Sequence, residues 1–139
     1  MVIQLARVVL SVGGSLINPG KPDIKFLKDL CKLITKLSGK HQFAVLCGGG
    51  QPARDYANAV RGFGGNEFVA DEAAILMTRA NAFIMASALG KLAYPGVMLD
   101  FTNAAEAAAV AGDRVIVMGG TIPGFTTDAD AALLAEKIG

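Results

Sequence analysis

"VLCGGGQPARDY", residues 45–56, sets three consecutive glycines between an apolar run and a stretch of helix-forming residues. A chain that only turned a corner would manage with one flexible residue. Glycine pairs stand in the same position at "SVGGSL" (11–16) and "VMGGTIPGFTTD" (117–128). Each glycine group follows a short apolar run: "RVVLSV" (7–12), "QFAVLC" (42–47) and "DRVIVM" (113–118). Such runs, bounded by turn residues, predict buried strands.

Helical patterns fill the intervals. Asp23 is a candidate N-cap for 24–37, where Ile24, Leu27, Leu30, Cys31, Ile34 and Leu37 recur at helical spacing, and Gly39 ends that pattern. Pro52 suits the first turn of a helix that continues to Gly62. "GFGGN" (62–66) reads as loop, and a long helix rich in Ala, Met and Leu is predicted over 68–89. "AYPGVML" (93–99) is a third, weaker strand, interrupted by Pro95 and Gly96. Thr102 is the expected cap of "NAAEAAAVA" (103–111), and "TDADAALLAEKI" (127–138) is a last helix stopping at Gly139. Alternating strands and helices, with strands apolar throughout, predict an α/β fold: a parallel sheet covered on both faces. Right-handed crossovers then bring the strand ends to one edge, where open α/β sheets bind ligands.

Bulk properties narrow the function. The chain has 139 residues, one domain's worth, with 53% apolar and 18% charged residues. A net charge of +1, no basic stripe and no interleaved aromatics argue against nucleic-acid binding. Cys31 and Cys47 match no metal spacing, and His41 is the only histidine, so no metal site is expected. Two buried thiols in a reducing cytoplasm are the expectation. The N-terminus reads as entering a strand at once, with no leader pattern. The apolar stretches read as too short or too interrupted to cross a bilayer, so no membrane partner is expected.

Glycine turns at such an edge have a chemical use. A residue without Cβ lets backbone N–H groups approach a ligand, and successive N–H groups form an anion-binding concavity. The helix that follows adds its positive end. Neither GxxxxGK[ST] nor a GxGxxG after the first strand occurs, so the two common phosphate motifs are absent.

Taken together, "VVLSVGGSL", "VLCGGGQPARDY", "DEAAILMTRANA" and "VMGGTIPGFTTDADAALLAE" resemble the amino acid kinase superfamily, and within it the archaeal-type UMP kinases. The resemblance spans nearly the whole chain. It implies an αβα sandwich, transfer of the ATP γ-phosphoryl group to UMP, and magnesium, for which the sequence offers no protein ligand set. It implies a cytoplasmic homo-oligomer, commonly a hexamer. By the same resemblance Gly13, Gly14 and Ser15 line the transfer site. Gly48 and Gly49 hold the UMP side, and Gly50 and Arg54 lie near the transferred phosphate. Asp71 binds the UMP sugar, Thr121, Ile122, Pro123, Gly124, Phe125, Thr126 and Thr127 wrap the uracil and α-phosphate, and Asp128 helps organise the centre. Arg54 and Asp128 are the expected catalytic residues.

Structural roles compete with several of these. Asp71 suits an N-cap or first-turn acid, Arg54 a solvated helix charge, and one of Thr126 and Thr127 a helix cap. Arg79 and Asn81 of "TRANA" read as packing or subunit contact in preference to ligand contact, and the Ala/Met face of 73–89 as core or dimer interface. Ser11 stands where many superfamily members carry lysine. The sequence through Gly139 covers the family's acceptor-binding region, and the ATP-binding region is expected to be missing from it. Tight self-association, or association with a separate second half, is therefore expected. A half-domain that binds UMP without transfer is the alternative. A family member with another acceptor, acetylglutamate or isopentenyl phosphate, ranks lower, because "GGGQPARDY" lacks the histidine usual in the isopentenyl phosphate enzymes.

Overall fold

The computed structural model describes residues 6–139, so the expected strand entry over residues 1–5 lies outside it. Four strands form one sheet in the order β1 (Ala6–Val12), β2 (His41–Cys47), β4 (Val115–Met118), β3 (Ala93–Met98). Every pairing is parallel. Strands β1 and β2 run in unbroken register from Ala6↔His41 to Val12↔Cys47. All four strands therefore deliver their carboxyl ends to one edge, as the alternating pattern predicts.

Side-chain alternation along the inner strands makes two cores. On one face Phe43, Val45, Cys47, Val115 and Val117 meet Leu27, Cys31 and Ile34 of α2 (Ile24–Leu37). Ala82, Met85 and Leu89 of α4 (Glu67–Leu89) join them. On the other face Ala44, Leu46, Ile116 and Met118 meet the alanines of α5 (Phe101–Val110) and Leu134 and Ile138 of α6 (Thr127–Ile138). The result is an αβα sandwich. Helix α3 (Gly50–Gly62) leaves the sheet and packs along α4.

The caps explain most boundaries. Asp23 accepts from the Phe26 amide as expected, and of Thr126 and Thr127, one of which was the expected cap of α6, it is Thr126 that accepts from the Ala129 amide. Three expectations shift. A four-residue helix, α1 (Gly14–Ile17), follows β1 directly, too short to leave a periodic signal. Helix α5 is capped by Asp100, which accepts from the Asn103 amide, and Thr102 lies inside the first turn. Strand β4 begins at Val115 because Asp113 and Arg114 belong to the turn before it. Pro95 and Gly96 do weaken β3: its register slips between Ala93 and Val97, and Gly96 has φ +87°.

One expectation is corrected. Glu67–Leu92, α4 with the turn after it, is long and apolar enough to cross a membrane by length and composition. Its inner face is instead committed to protein, since Ala70, Thr78, Asn81, Ala82, Met85 and Leu89 are all buried.

Cys31 and Cys47 are free and buried. Burial, with a smaller contribution from Cys31, pushes the Cys47 thiol up to about 12, so it stays protonated.

Leu46 is fully buried at the centre of the second face. Leu46→Ala is expected to lower unfolding free energy by about 2–5 kcal/mol, and Asp23→Ala by about 1 kcal/mol. Urea titrations of the two variants beside the parent check both.

Candidate functional site

The turns after β1 and β2 lie backbone against backbone. A Cβ on Gly14 would stand 2.5 Å from the Gly49 nitrogen and 2.6 Å from the Gly48 carbonyl carbon, so only glycine fits. Gly50 answers from the other side with φ +67° and the Gly14 carbonyl pressed against it. Asn18 completes the junction: its carbonyl accepts from the Gln51 amide at 3.3 Å, and its Nδ2 donates to Asn81 Oδ1 at 3.4 Å.

The turn after β4 is held by α4. Thr78 Oγ1 accepts the Gly120 amide at 2.7 Å, while Arg79 donates to the carbonyls of Gly120 (3.2 Å) and Thr121 (3.1 Å). A Cβ on Gly119 would sit 2.8 Å from the Arg79 nitrogen, so the helix backbone rests directly on this turn. Asn81, 1% exposed, donates to the carbonyls of Gly48 (2.8 Å) and Gly49 (3.1 Å).

Between these two turns lies a cavity of about 350 Å³. Gly49, Gly50, Ala53 and Arg54 line one side, and Gly120 and residues Pro123 to Thr127 the other. Asp71, Ala74, Ile75 and Thr78 of α4 form its floor. The volume falls within the range usual for small-molecule sites. The amino end of α3 opens here with Gly49 at the N-cap and no side chain capping it. Uncapped helix amides favour an anion. Arg54 is exposed, held toward Gln51 Oε1 at 3.1 Å. Asp71 is one turn into α4, whose cap is Asn66, so it is no N-cap; its Oδ2 accepts from the Gly124 amide at 3.2 Å.

The other expected site residues lie elsewhere. Gly14 and Gly48 are the pressed backbone behind the cavity, and Gly13 and Ser15 are exposed beside it. Thr121 turns its hydroxyl away, to Asp130 Oδ1 at 2.8 Å, and Ile122 is exposed. Asp128 accepts from Ser11 Oγ, linking α6 to the end of β1 at the position where lysine is common. Among the described residues no three of His, Cys, Asp and Glu gather into a metal cluster.

Asp130 is a functional neighbour that residue type alone did not single out. It is fully buried and accepts from both the amide and hydroxyl of Thr121. Burial raises its carboxyl above the usual 3.8, and the two Thr121 hydrogen bonds oppose that rise. The signal was its spacing, four residues before Leu134 on the buried stripe of α6.

A parallel sheet covered by helices on both faces, with a cavity between its carboxyl-edge turns, defines an α/β protein of the αβα type. The amino acid kinase family model matches residues 6–139, and the chain belongs to that family. It is 45% identical over 132 residues to the uridylate kinase of Thermococcus sibiricus, covering 95% of this chain and 58% of that protein. The solved uridylate kinase of Archaeoglobus fulgidus superposes with TM-score 0.86 at 40% identity, covering 96% of this chain and 59% of that one. The UMP kinase of Ureaplasma parvum, 23% identical, shares the fold with TM-score 0.77, covering 98% of this chain and 63% of that one. The chain thus spans about 58% of the curated relative's length.

Gly119→Ala forces a methyl against the α4 backbone and is expected to cost about 1–3 kcal/mol, read by urea unfolding. Asp130 has its folded pKa raised, so its stabilising contribution is full below pH 3.8 and is lost as pH rises through the folded value. The pH profile of unfolding free energy should carry that downward step, and Asp130→Asn should remove it.

Proposed function

We propose that this chain forms the acceptor side of a UMP kinase, binding UMP for transfer of the ATP γ-phosphoryl group. The observation that supports it most directly is the cavity that joins an uncapped helix amino end and Arg54 to Asp71 and the threonine-rich loop. Its relatives' names point the same way. Phosphoryl transfer asks the protein for alignment and for donors to spread negative charge. In this reading the α3 amides and Arg54 take the UMP phosphate, Arg54 forking onto two oxygens. Asp71 accepts from ribose hydroxyls, and residues 121–127 enclose the uracil. Gly13, Gly14 and Ser15, beside Gly48 and Gly50, lie on the side from which the donor phosphates approach, with Asp128 near them. Magnesium would supply charge neutralisation of the phosphates; among the described residues no three of His, Cys, Asp and Glu gather to hold it.

The region 1–139 is read as the acceptor-binding region, with the ATP-binding residues supplied from outside it. Two free buried thiols support a cytoplasmic setting. Exposed Leu76 and Phe83, seven positions apart on α4, support a homo-oligomer. Among the described residues Arg54 is the only cation lining the cavity, which favours a second reading: binding of UMP without transfer by this chain alone.

Calorimetry with UMP tests the shared premise. Saturable heat is expected, and UMP at a hundred times Kd should add about 2.7 kcal/mol of stability. Arg54→Gln and Asp71→Asn should each weaken binding about tenfold or more. No heat and no thermal stabilisation at millimolar UMP would overturn it. Transfer is judged separately, by UMP-dependent ADP release when the donor half of an archaeal uridylate kinase is supplied.

A further inference from the structure

A single helical turn touches both walls of the cavity. Thr78 Oγ1 accepts the Gly120 amide and donates to the Ile75 carbonyl at 2.6 Å. Arg79 takes the Gly120 and Thr121 carbonyls. Asn81 takes the Gly48 and Gly49 carbonyls of the opposite wall. The two loops are 32 to 42 residues away from this turn in sequence, yet both end on it. The Gly120–Thr121 peptide is also gripped from two sides: its carbonyl by Arg79, its N–H by Asp130 at 3.3 Å. The bonds to the Gly48 carbonyl and the Gly120 amide satisfy buried backbone groups that would otherwise be unpaired.

We propose that Thr78, Arg79 and Asn81 are positioning residues for the acceptor nucleotide. They set the spacing and tilt of the two binding loops through the fixed rise of a helix, about 1.5 Å per residue, in place of loop stiffness. Loops free to choose their separation would lose entropy on closing around a ligand, and small misplacements weaken a site sharply. Neither Arg79 nor Asn81 lines the cavity, so neither acts by touching the ligand; Thr78 does line it, and the ligand-free Gly120 exchange rate separates its hold on the turn from direct contact. The proposal rests on the reading that this cavity holds UMP.

The test uses the 139-residue chain with Thr78→Val, Thr78→Ser and Arg79→Gln. Arg79 is only half-buried, so its variant folds even if Thr78→Val does not. UMP affinity is measured by calorimetry, and exchange of the Gly120 amide by NMR without ligand. Thr78→Val should expose the Gly120 amide to exchange and weaken UMP binding about tenfold, as should Arg79→Gln for binding. Thr78→Ser, which keeps the hydroxyl, should restore both. Parental affinity in Thr78→Val and Arg79→Gln, or failure of Thr78→Ser to rescue, overturns the proposal. A parent chain that binds no UMP overturns the reading of the ligand instead. The Gly120 exchange rates, which need no ligand, tell that failure from failure of the clamp.

Discussion

Everything at the carboxyl edge depends on two stretches of bare backbone being allowed to touch. Strands β1 and β2 run side by side through seven paired residues and must then diverge into α1 and α3. They separate at a point where Gly14 lies against Gly48 and Gly49 with no room for a methyl group. The contact brings the amino end of α3 to the edge of the sheet and leaves it facing outward. The same logic recurs where α4 rests on Gly119. Removing side chains at these points lets main-chain groups reach the cavity and lets other main-chain groups support them.

Helix α4 links this edge to the core. Its C-terminal half buries Ala82, Met85 and Leu89 against the sheet, and its N-terminal half presents Asp71 and Ile75 to the cavity. Between them sit the polar residues that hold the glycine turns. A helix anchored by apolar burial at one end keeps little freedom at the other, so core packing and site geometry are mechanically joined. Asp130 adds a second anchor from α6 on the opposite side of the Thr121 loop.

Much of this was legible in the sequence. Apolar runs closed by glycine gave the strands, and side-chain oxygens at Asp23 and Thr126 gave two helix starts, because those signals act over a few neighbouring residues. Thr102 was the expected start of α5, but Asp100 two residues earlier caps it; both residue types cap well, and only the chain path decides between them. Helix α1 has too few residues for periodicity to appear. The glycine groups and the run 121–128 marked a candidate site, and the structure brings Gly49, Gly50, Arg54, Asp71 and 123–127 into one cavity while Gly13, Gly14, Ser15, Gly48, Thr121, Ile122 and Asp128 fall outside its lining. Asn81 and Arg79 read as packing residues, which is true of where they sit. Their partners lie more than thirty residues away, and no local pattern encodes that distance. Asp130 was not singled out from the sequence, because its burial depends on the face that α6 gives to the sheet.

The irregular β3 strand shapes the outer border of the sheet. Pro95 offers no amide hydrogen and Gly96 bends the chain, so the row of donors and acceptors along that rim is interrupted. An incoming strand would find no continuous ladder there. Polymerisation from this side is discouraged by the strand's own irregularity, while the opposite rim carries β1, an unbroken seven-residue strand.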